Sequence, residues 1–313
     1  MEPLITVVTP SYHNASTIYD TIDSVLNQSY KKIQYIVTDD CTPDFDKEEI
    51  KNYILSRNRG NIVDLTVIKN PQNLGTVKNL NNALTEAKGI YLFNIAADDT
   101  FYDENVLIDW VDEFEKTDAQ VITAYRAVCS TNLKQRLNIA PTKKEAQFIR
   151  TLTPRELFDK MSGSNFIFGC CTARTMQNYK LLGGYDERYP LIEDYPSNMK
   201  LLRQDVRIHF MNRIVINYRT GGISGIGNIN EVYLQQADSI FLNEILPYAS
   251  DEQLARKKYE RWKKECKILA DNAKTAKKIG KEKSSCRRFI YYLAILIKHP
   301  AFFLHALKNK ISR

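Results

Sequence analysis

The sequence predicts an α/β protein in which a mostly parallel sheet is flanked by helices and followed by a C-terminal helical extension. Two observations carry this prediction. In residues 1–127, short apolar runs alternate with stretches whose apolar residues recur at helical spacing. Strands that alternate with helices of this length are typical of βαβ units and therefore of a parallel sheet. After about residue 229, the pattern is helical throughout.

Each predicted strand is a run of β-branched and aromatic residues bounded by turn formers. The predicted strands are 4–10, 32–40, 61–70, 90–97 and about 119–126. The predicted helices lie between them, at 14–29, about 46–58, 73–89 and about 103–116. The helix at 14–29 carries Ile18, Ile22 and Val25 on one face, and Gly89 is a plausible stop for the helix at 73–89.

The charge of the chain is unevenly distributed. The whole chain has 313 residues and a net charge of +7, but residues 251–313 hold 18 Lys and Arg against 6 Asp and Glu. The remainder is therefore net acidic, which argues against a basic nucleic-acid groove in the main domain. The six cysteines form no CxxC pair, and the first residues show neither the basic nor the apolar region of a signal peptide. We therefore expect reduced thiols and a cytoplasmic location.

Three predicted strands end in polar or acidic residues, at 10–12, at 39–40 and at 98–99. Because the carboxyl ends of parallel strands meet at one edge of a sheet, these residues are expected to converge on one site. Asp and Ser are also common turn formers, which is the alternative interpretation. Adjacent carboxylates at the edge of a core repel each other, and a divalent cation would compensate for that repulsion. The chain has neither GxGxxG after the first strand nor GxxxxGK[ST], so a dinucleotide-binding or P-loop domain is disfavoured.

The chain resembles the family 2 glycosyltransferases, which have the GT-A fold, and among them the bacterial enzymes that build capsule, exopolysaccharide or wall polymers. The similar stretches run from residue 4 to about 225: "VVTPSYHNASTIYDTIDSVLNQSY", "IQYIVTDDCTPD", "NLGTVKNLNNALTEAKGIYLFNIAADD", "GGYDERYPLIEDYPSNMKLL" and "YRTGGISG". The resemblance implies inverting transfer of a hexose or N-acetylhexosamine from a UDP-sugar to a glycan acceptor, commonly linked to polyprenyl diphosphate. It also implies Mn²⁺ or Mg²⁺ as cofactor.

The resemblance assigns the donor site to residues of the first half. Asp40 would bind the uracil imide, Asp98 would reach the ribose or the metal shell, and Asp99 would ligate the metal. The remaining residues implied in nucleotide-sugar binding are Pro10, Ser11, Tyr12, Lys78 and Asn79. In this family the acid motif is often Asp-x-Asp-Asp. Here the first position is Ala96, which leaves fewer protein oxygens for a metal. His209 could add a metal contact, although a lone His in "VRIHFMN" is more often structural.

A second acid pair, Glu193–Asp194, stands where a strand-like run leads into a helix. By itself such a pair is ordinary helix capping. The resemblance makes Asp194 the general base and Glu193 a residue that orients it or contacts the acceptor, while Asp186 is expected to be structural. The segment 218–228, "YRTGGISGIGN", is either a surface turn or, by the resemblance, a mobile lid whose Arg219 and Ser224 face the donor phosphates.

The predicted catalytic domain spans 1–228, with a nucleotide-sugar half at about 1–127 and an acceptor half at about 128–228. The extension, 229–313, is basic and amphipathic. Its end, 286–313, combines aromatic and aliphatic residues with basic flanks, which suits the surface of an anionic membrane. A homo-oligomer interface and packing on the domain are the alternatives. We expect a peripheral protein on the inner face of the cell membrane.

Two other functions compete with glycosyl transfer. A sugar nucleotidyltransferase with the same fold would need a basic phosphate-binding loop after the first strand, but "TPSYHNAS" has no Lys or Arg. A binding protein with a degenerate catalytic domain would act through its basic tail. The complete set of acids argues against degeneracy.

Overall fold

The structure, a computed structural model of the chain, describes residues 2–221 and 231–281. These residues form a central sheet of nine strands in the order β3-β2-β1-β4-β8-β6-β9-β5, with β7 paired to β6. The strands are β1 (Ile5–Ser11), β2 (Ile33–Asp39), β3 (Ile62–Lys69), β4 (Tyr91–Asn94), β5 (Thr100–Phe101), β6 (Val121–Cys129), β7 (Arg136–Ala140), β8 (Thr172–Thr175) and β9 (His209–Arg219).

Helices cover both faces of this sheet. They are α1 (Ile18–Leu26), α2 (Lys47–Arg57), α3 (Thr76–Leu84), α4 (Val106–Thr117), α5 (Lys143–Thr151), α6 (Pro154–Met161), α7 (Met176–Leu182), α8 (Asp194–Arg203), α9 (Glu231–Ile240) and α10 (Glu252–Lys281). A π-helical turn, Phe241–Ile245, and a 3₁₀ turn, Leu246–Tyr248, connect α9 to α10. None of these described helices is both long enough and apolar enough to cross a bilayer.

The parallel part of the sheet lies where the sequence predicts it. Strands β1, β2, β3 and β4 pair in parallel. Beyond β4 the sheet is mixed: β8 runs antiparallel to both β4 and β6, whereas β6 and β9 are parallel. The α/β fold with flanking helices is therefore confirmed, and its second half contains more antiparallel pairing than the strand–helix alternation suggested.

Three hydrophobic clusters hold the layers together. One packs α1, α2 and α4 on one face of the sheet, and a smaller one packs α3 on the other. The third joins α5, α6 and α8 to the C-terminal helices, and it includes the rings of Phe241 and Tyr259, which stack with centroids 4.1 Å apart. The described part of the extension therefore packs directly on the catalytic core.

Gly89 does not end α3, contrary to the sequence prediction. The helix ends at Leu84, and a Cβ added at Gly89 would overlap the backbone of Ile5 and Thr6. The missing side chain thus lets the chain pass close to β1 as it enters β4. The glycine was correctly recognised as special, but its role is close backbone approach and not helix termination.

Candidate active site

The carboxyl ends of the parallel strands converge as predicted. The N–H of Asp40 donates to the carbonyl of Ser11 at 2.9 Å, and the N–H of Ala97 donates to the carbonyl of Pro10 at 3.1 Å. The residues after β1, β2 and β4 therefore form one continuous edge. This edge carries both acid doublets of the first half of the chain.

The carboxylate of Asp40 binds the loop that leads into α3. It accepts the N–H groups of Leu74 and Gly75, both at 2.8 Å, and the side-chain amide of Asn70 at 3.1 Å. Asn79 lies beneath this loop, where its Oδ1 accepts from Thr38 Oγ1 at 2.6 Å. Asp40 is thus held at the strand edge by three hydrogen bonds, and Asn79 is buried, with 2% of its surface exposed.

Tyr12 and Lys78 are the most open of the predicted donor residues. Tyr12 is 44% exposed, and its ring lies 4.2 Å from the ring of His13. Lys78 is exposed on α3 and forms a weak ion pair with Glu187, with Nζ and carboxylate oxygen 3.9 Å apart. An exposed aromatic ring beside a rigid carboxylate is suited to stacking and hydrogen bonding of a nucleobase.

The acid turn, Asp98–Asp99, follows β4. Asp99 is 1% exposed, and burial together with the charge of Asp98 raises the pKa of its carboxyl well above the usual range. Burial also raises the pKa of Asp98. The turn is held in place by Thr21, whose hydroxyl donates to the carbonyl of Asp99 at 2.6 Å. The turn thus keeps two carboxyl groups close together, and ionisation of both is disfavoured as a result.

The chemistry of this turn fits a hard divalent cation. Both side chains offer oxygen ligands, and the raised pKa values show that positive charge here would stabilise their ionised forms. Within residues 2–221 and 231–281, no three His, Cys, Asp or Glu side chains are arranged to enclose a metal. Mg²⁺ is usually bound in this incomplete way, by one or two carboxylates, with substrate phosphates and waters supplying the other ligands.

Arg219 clamps the acid turn. Its N–H donates to Asp99 Oδ1 at 2.8 Å and its Nε to the carbonyl of Asp98 at 2.7 Å. Its other nitrogens bind the carbonyl of Thr131 and the carboxylate of Asp20, each at 2.7 Å. In this structure the guanidinium therefore fixes the turn to α1 and to the β6–β7 connection. Ser224 and the rest of the predicted lid from 222 lie outside the described residues.

The second acid pair stands at the start of α8, and its two carboxyl groups are in different environments. Asp194 accepts the N–H groups of Gly169 at 2.9 Å and of its neighbour Tyr195 at 2.6 Å. For Glu193, burial followed by the charge of Asp194 raises the pKa to about 8, although its own backbone N–H and the charge of Arg174 lower it. Burial raises the pKa of Asp194 too, but the backbone donors and the charge of Arg126 oppose that shift. Near neutral pH Glu193 is therefore the member of the pair that keeps its proton, and the ionised form of Asp194 is the better stabilised of the two.

This protonation pattern predicts a pH-dependent gain in stability for Glu193→Gln. Because the pKa of Glu193 is raised from 4.5 to about 8 on folding, its ionisation opposes folding, and stability falls as pH rises through that window. Gln cannot ionise, so we expect the variant to be more stable than the wild type by on the order of 2 kcal/mol at pH 8.5 and nearly equal at pH 5. Denaturant unfolding at both pH values measures this.

The control for that comparison is Glu187→Gln, which alters an exposed carboxylate on the neighbouring loop. It should have little effect at either pH. An equal gain in the free energy of unfolding for Glu193→Gln at pH 5 and at pH 8.5 would contradict the assignment of the proton to Glu193.

Gly169 makes the placement of the acid pair possible. A Cβ added there would overlap Glu193 Oε1 and would lie 3.2 Å from the Cβ of Asp194. The same residue donates its N–H to Asp194. A side chain at this position would therefore displace both carboxyl groups.

We expect Gly169→Ala to lower turnover by about 10- to 100-fold, since an error of about 1 Å in a catalytic group can cost that much. Gly163→Ala is the matched control, because its Cβ would meet the Cβ of Lys258 on α10 at 2.6 Å, a comparable clash away from the acids. Turnover per folded molecule and thermal unfolding should be measured for both. If the two variants lost turnover equally, the effect would be one of general stability.

Arg126 links the two acid pairs, and sequence reasoning missed it. Its guanidinium lies between the rings of Phe168 and Tyr218, 3.7 and 4.1 Å from their centroids, and donates to Cys170 Sγ at 3.4 Å. Its positive charge favours the ionised forms of Asp99 and Asp194 and so opposes the rise in their pKa values. The available signal was a charged residue inside the apolar strand "VITAYRAVC", where burial is costly unless the charge has a purpose.

A second missed cation, Arg174, lies on β8 and is 3% exposed. Its charge lowers the pKa of Glu193, and its guanidinium carbon lies 5.2 Å from the ring centroid of Tyr185. Arg126 and Arg174 thus place positive charge beneath both acid pairs.

His209 does not belong to this site. It lies at the start of β9, and its Nε2 is 2.6 Å from a carboxylate oxygen of Glu113 on α4. The acid turn contacts the other end of the same strand, at Arg219, about 30 Å away for an extended strand of this length. The structural interpretation of His209 is therefore the better one. Asp186 is also structural, because its carboxylate binds the backbone and side chain of Arg188.

A profile of the family "Glycosyl transferase family 2" matches residues 6–182, more than half of the chain. The chain belongs to this family and has its GT-A fold. The match covers the acid turn but ends before Glu193, Asp194 and Arg219.

Among the relatives is the Bacillus subtilis protein named putative teichuronic acid biosynthesis glycosyltransferase TuaG, which is 35% identical over 98 residues. That alignment covers 31% of this chain and 37% of TuaG. The Escherichia coli protein WfaP, named UDP-Glc:alpha-D-GlcNAc-diphosphoundecaprenol beta-1,3-glucosyltransferase, is 34% identical over 96 residues, which are 31% of this chain and 36% of WfaP. The chain thus spans about a third of the length of these relatives.

Solved structures confirm the fold. The crystal structure of S. aureus TarS 1-349 in complex with UDP has a TM-score of 0.56 at 19% identity, over 83% of this chain and 70% of that one. The mannosyltransferase PcManGT from Pyrobaculum calidifontis, in complex with GDP-Man and Mn²⁺, has a TM-score of 0.61 at 16% identity, over 97% of this chain and 81% of that one.

Proposed function

We propose that the protein is an inverting glycosyltransferase that moves a sugar from a UDP-sugar to a bacterial glycan acceptor linked to polyprenyl diphosphate. The observation that carries this proposal is the arrangement of the two acid pairs. One is a turn suited to a cation at the nucleotide edge, and the other places an ionised carboxylate at a helix start, with Arg126 electrostatically coupled to both. The printed names of WfaP and of the UDP complex of TarS support the choice of donor and acceptor.

In this mechanism, the uracil ring stacks near Tyr12 and is read by Asp40, with Pro10, Ser11 and Lys78 beside it. Asp98 and Asp99 would hold a divalent cation, which when bound would stabilise negative charge on the departing diphosphate. Arg219 holds the turn in place, because it donates to the carboxylate of Asp99 and to the backbone carbonyl of Asp98.

Asp194 acts as the general base. An acceptor hydroxyl that reaches its carboxylate loses its proton while the oxygen attacks the anomeric carbon on the face opposite the leaving UDP. The two backbone donors hold the carboxylate in a fixed orientation, and they oppose the rise in its pKa that burial causes. Glu193, which retains its proton, can donate a hydrogen bond to the acceptor or to its neighbour.

A lipid-linked acceptor would also explain the sequence of the extension. We propose that residues 286–313 contact the inner face of the cell membrane, as their aromatic and basic composition suggests. This segment lies outside the described residues.

The proposal is tested by titrating the full chain with UDP, in Mn²⁺ and in EDTA, and by measuring UDP release from a panel of UDP-sugars. We expect binding that strengthens with Mn²⁺, and release of UDP from one or a few sugars. Release of pyrophosphate in place of UDP would indicate a nucleotidyltransferase. No UDP binding under either condition would contradict the proposal.

A further inference from the structure

A polar cleft opens beside the second acid pair and has no part in the mechanism above. Its volume is about 350 Å³, within the range of about 300–1,000 Å³ that is typical of small-molecule pockets. One wall is the loop from Leu182 to Arg188, and the other is the outer face of α8. Glu244, in the π-helical turn, contributes to the lining as well. We call it the side cleft.

The side cleft adjoins the acid pair along α8. Its lining residues on this helix are Pro196, Ser197, Lys200 and Arg203. They follow Glu193 by 3, 4, 7 and 10 positions, a spacing that places them on the same helix face as Glu193. Ser197 also donates its hydroxyl to the carbonyl of Glu193 at 2.6 Å.

Tyr185 connects the cleft to the sheet from the other side. It lines the cleft, and its hydroxyl accepts from Asn94 on β4, the strand that leads to the acid turn. The lining of the cleft is therefore bonded to the backbone of Glu193 through Ser197 and to β4 through Tyr185.

The carboxylate of Glu244 is a built feature of the cleft. Glu244 is 4% exposed, yet it is charged, and it accepts from Arg188 at 2.6 Å and from Arg203 at 2.8 Å. It belongs to a π-helical turn, a geometry that occurs frequently at functional sites. A buried carboxylate held by two guanidinium groups presents ordered donors and acceptors in fixed directions.

The charges of the cleft balance. Its lining has three cations, Arg188, Lys200 and Arg203, and three carboxylates, Asp186, Glu187 and Glu244. A phosphate or a uronic acid would need an excess of positive charge, which is absent from this lining. Paired charges instead supply both donors and acceptors to a ligand that has many hydroxyl groups and no charge.

We propose that the side cleft binds a neutral sugar residue of the acceptor glycan, next to the residue whose hydroxyl reaches Asp194. This inference rests on the proposed function, because it takes the acid pair as the point of reaction. It identifies the acceptor as at least a disaccharide unit that is uncharged at this position. Specificity for the acceptor would then come from the loop 182–188 and α8, and not from the nucleotide edge.

The test is saturation transfer difference NMR on the full chain, with methyl glycosides of glucose, galactose and N-acetylglucosamine as probes. Methyl glucuronide and glycerol phosphate serve as charged comparators. We expect at least one neutral glycoside to bind and to bind about fivefold or more weakly to Arg188→Ala and to Lys200→Gln, because each variant removes a charged hydrogen-bond donor. Lys180→Gln, an exposed lysine on α7 outside the cleft, is the matched control and should bind like the wild type.

Each other outcome overturns one statement. Absence of binding by every neutral glycoside, binding by both cleft variants as tight as that of the wild type, or preference for the charged comparators would overturn the inference. UDP titration of the same wild-type sample keeps the two proposals separate. UDP binding without glycoside binding removes the side cleft as a sugar site and leaves the function standing, whereas glycoside binding without UDP binding removes the function.

Discussion

We expect Asp194→Asn to transfer sugar about 100- to 10,000-fold more slowly than the wild type, the range typical of losing a general base. Asn keeps the shape of the side chain, and its carbonyl oxygen can accept one of the two backbone N–H groups that Asp194 holds on separate oxygens, so one of the two anchors at the start of α8 should remain. What is lost is the basic carboxylate. UDP binding should be unchanged, because the nucleotide edge is built from other strands. Steady-state transfer assays and UDP titration measure the two quantities separately.

Asp205→Asn is the matched control for this prediction. Asp205 is an exposed carboxylate just after α8, and Asn tolerates its positive φ, so the replacement changes a nearby charge that has no predicted catalytic role. Turnover by Asp194→Asn close to that of the wild type would remove Asp194 from the mechanism. Loss of both turnover and UDP binding would indicate damage to the fold instead.

The second large effect is expected for Asp99→Asn. Asn can still accept the N–H of Arg219, so the clamp on the acid turn should survive. The variant cannot carry the negative charge of Asp99, whose formation is opposed by burial and by Asp98. It therefore loses the attraction of that charge for a cation. We expect UDP affinity in Mn²⁺ to fall by about tenfold or more, to the level measured in EDTA, where wild type and variant should agree.

Asp103→Asn is a suitable control, because Asp103 lies shortly after the acid turn and forms an ion pair with Arg213. Its UDP affinity should depend on Mn²⁺ as in the wild type. If Asp99→Asn kept the full response to Mn²⁺, the cation would have to be held elsewhere, and the fit of the acid turn to a metal would be misleading.

The nucleotide edge was predictable from the sequence because its information is local. Each acid doublet directly follows an apolar run, and the topology of parallel strands then brings the doublets together. The contacts of Asp40 with Ser11 and of Ala97 with Pro10 are the direct consequence. The same logic located Glu193 and Asp194 at a helix start, although only the resemblance to a family suggested catalysis.

The electrostatic partners of these acids were not predictable, because they come from distant segments. Arg126 lies inside an apolar strand, and nothing in its neighbourhood shows that Phe168 and Tyr218 will enclose it. Arg219 was expected to face phosphates, whereas in this structure all three nitrogens of its guanidinium group donate to other residues of the protein. Pairing across a sheet is decided by tertiary packing, and a single sequence does not record it.

Gly89 and Gly169 illustrate a related limit. Both exclude a side chain because another segment passes too close, β1 in the first case and Glu193 in the second. A sequence shows that a glycine is present but not which segment approaches it. Gly89 was therefore interpreted through the commonest local use of glycine, the end of a helix.

The clamp made by Arg219 also determines the order in which the molecule can be assembled. Its N–H reaches Asp99 across 120 positions of sequence, and contacts of such separation form late because a long loop must close first. The strands β1 to β4 lie within the first 94 residues and can pair while the ribosome is still adding the rest of the chain. The acid turn stays unclamped until β9 has been synthesised and has paired with β6. A nascent chain can therefore pair these four strands well before Arg219 is available to hold its acid turn.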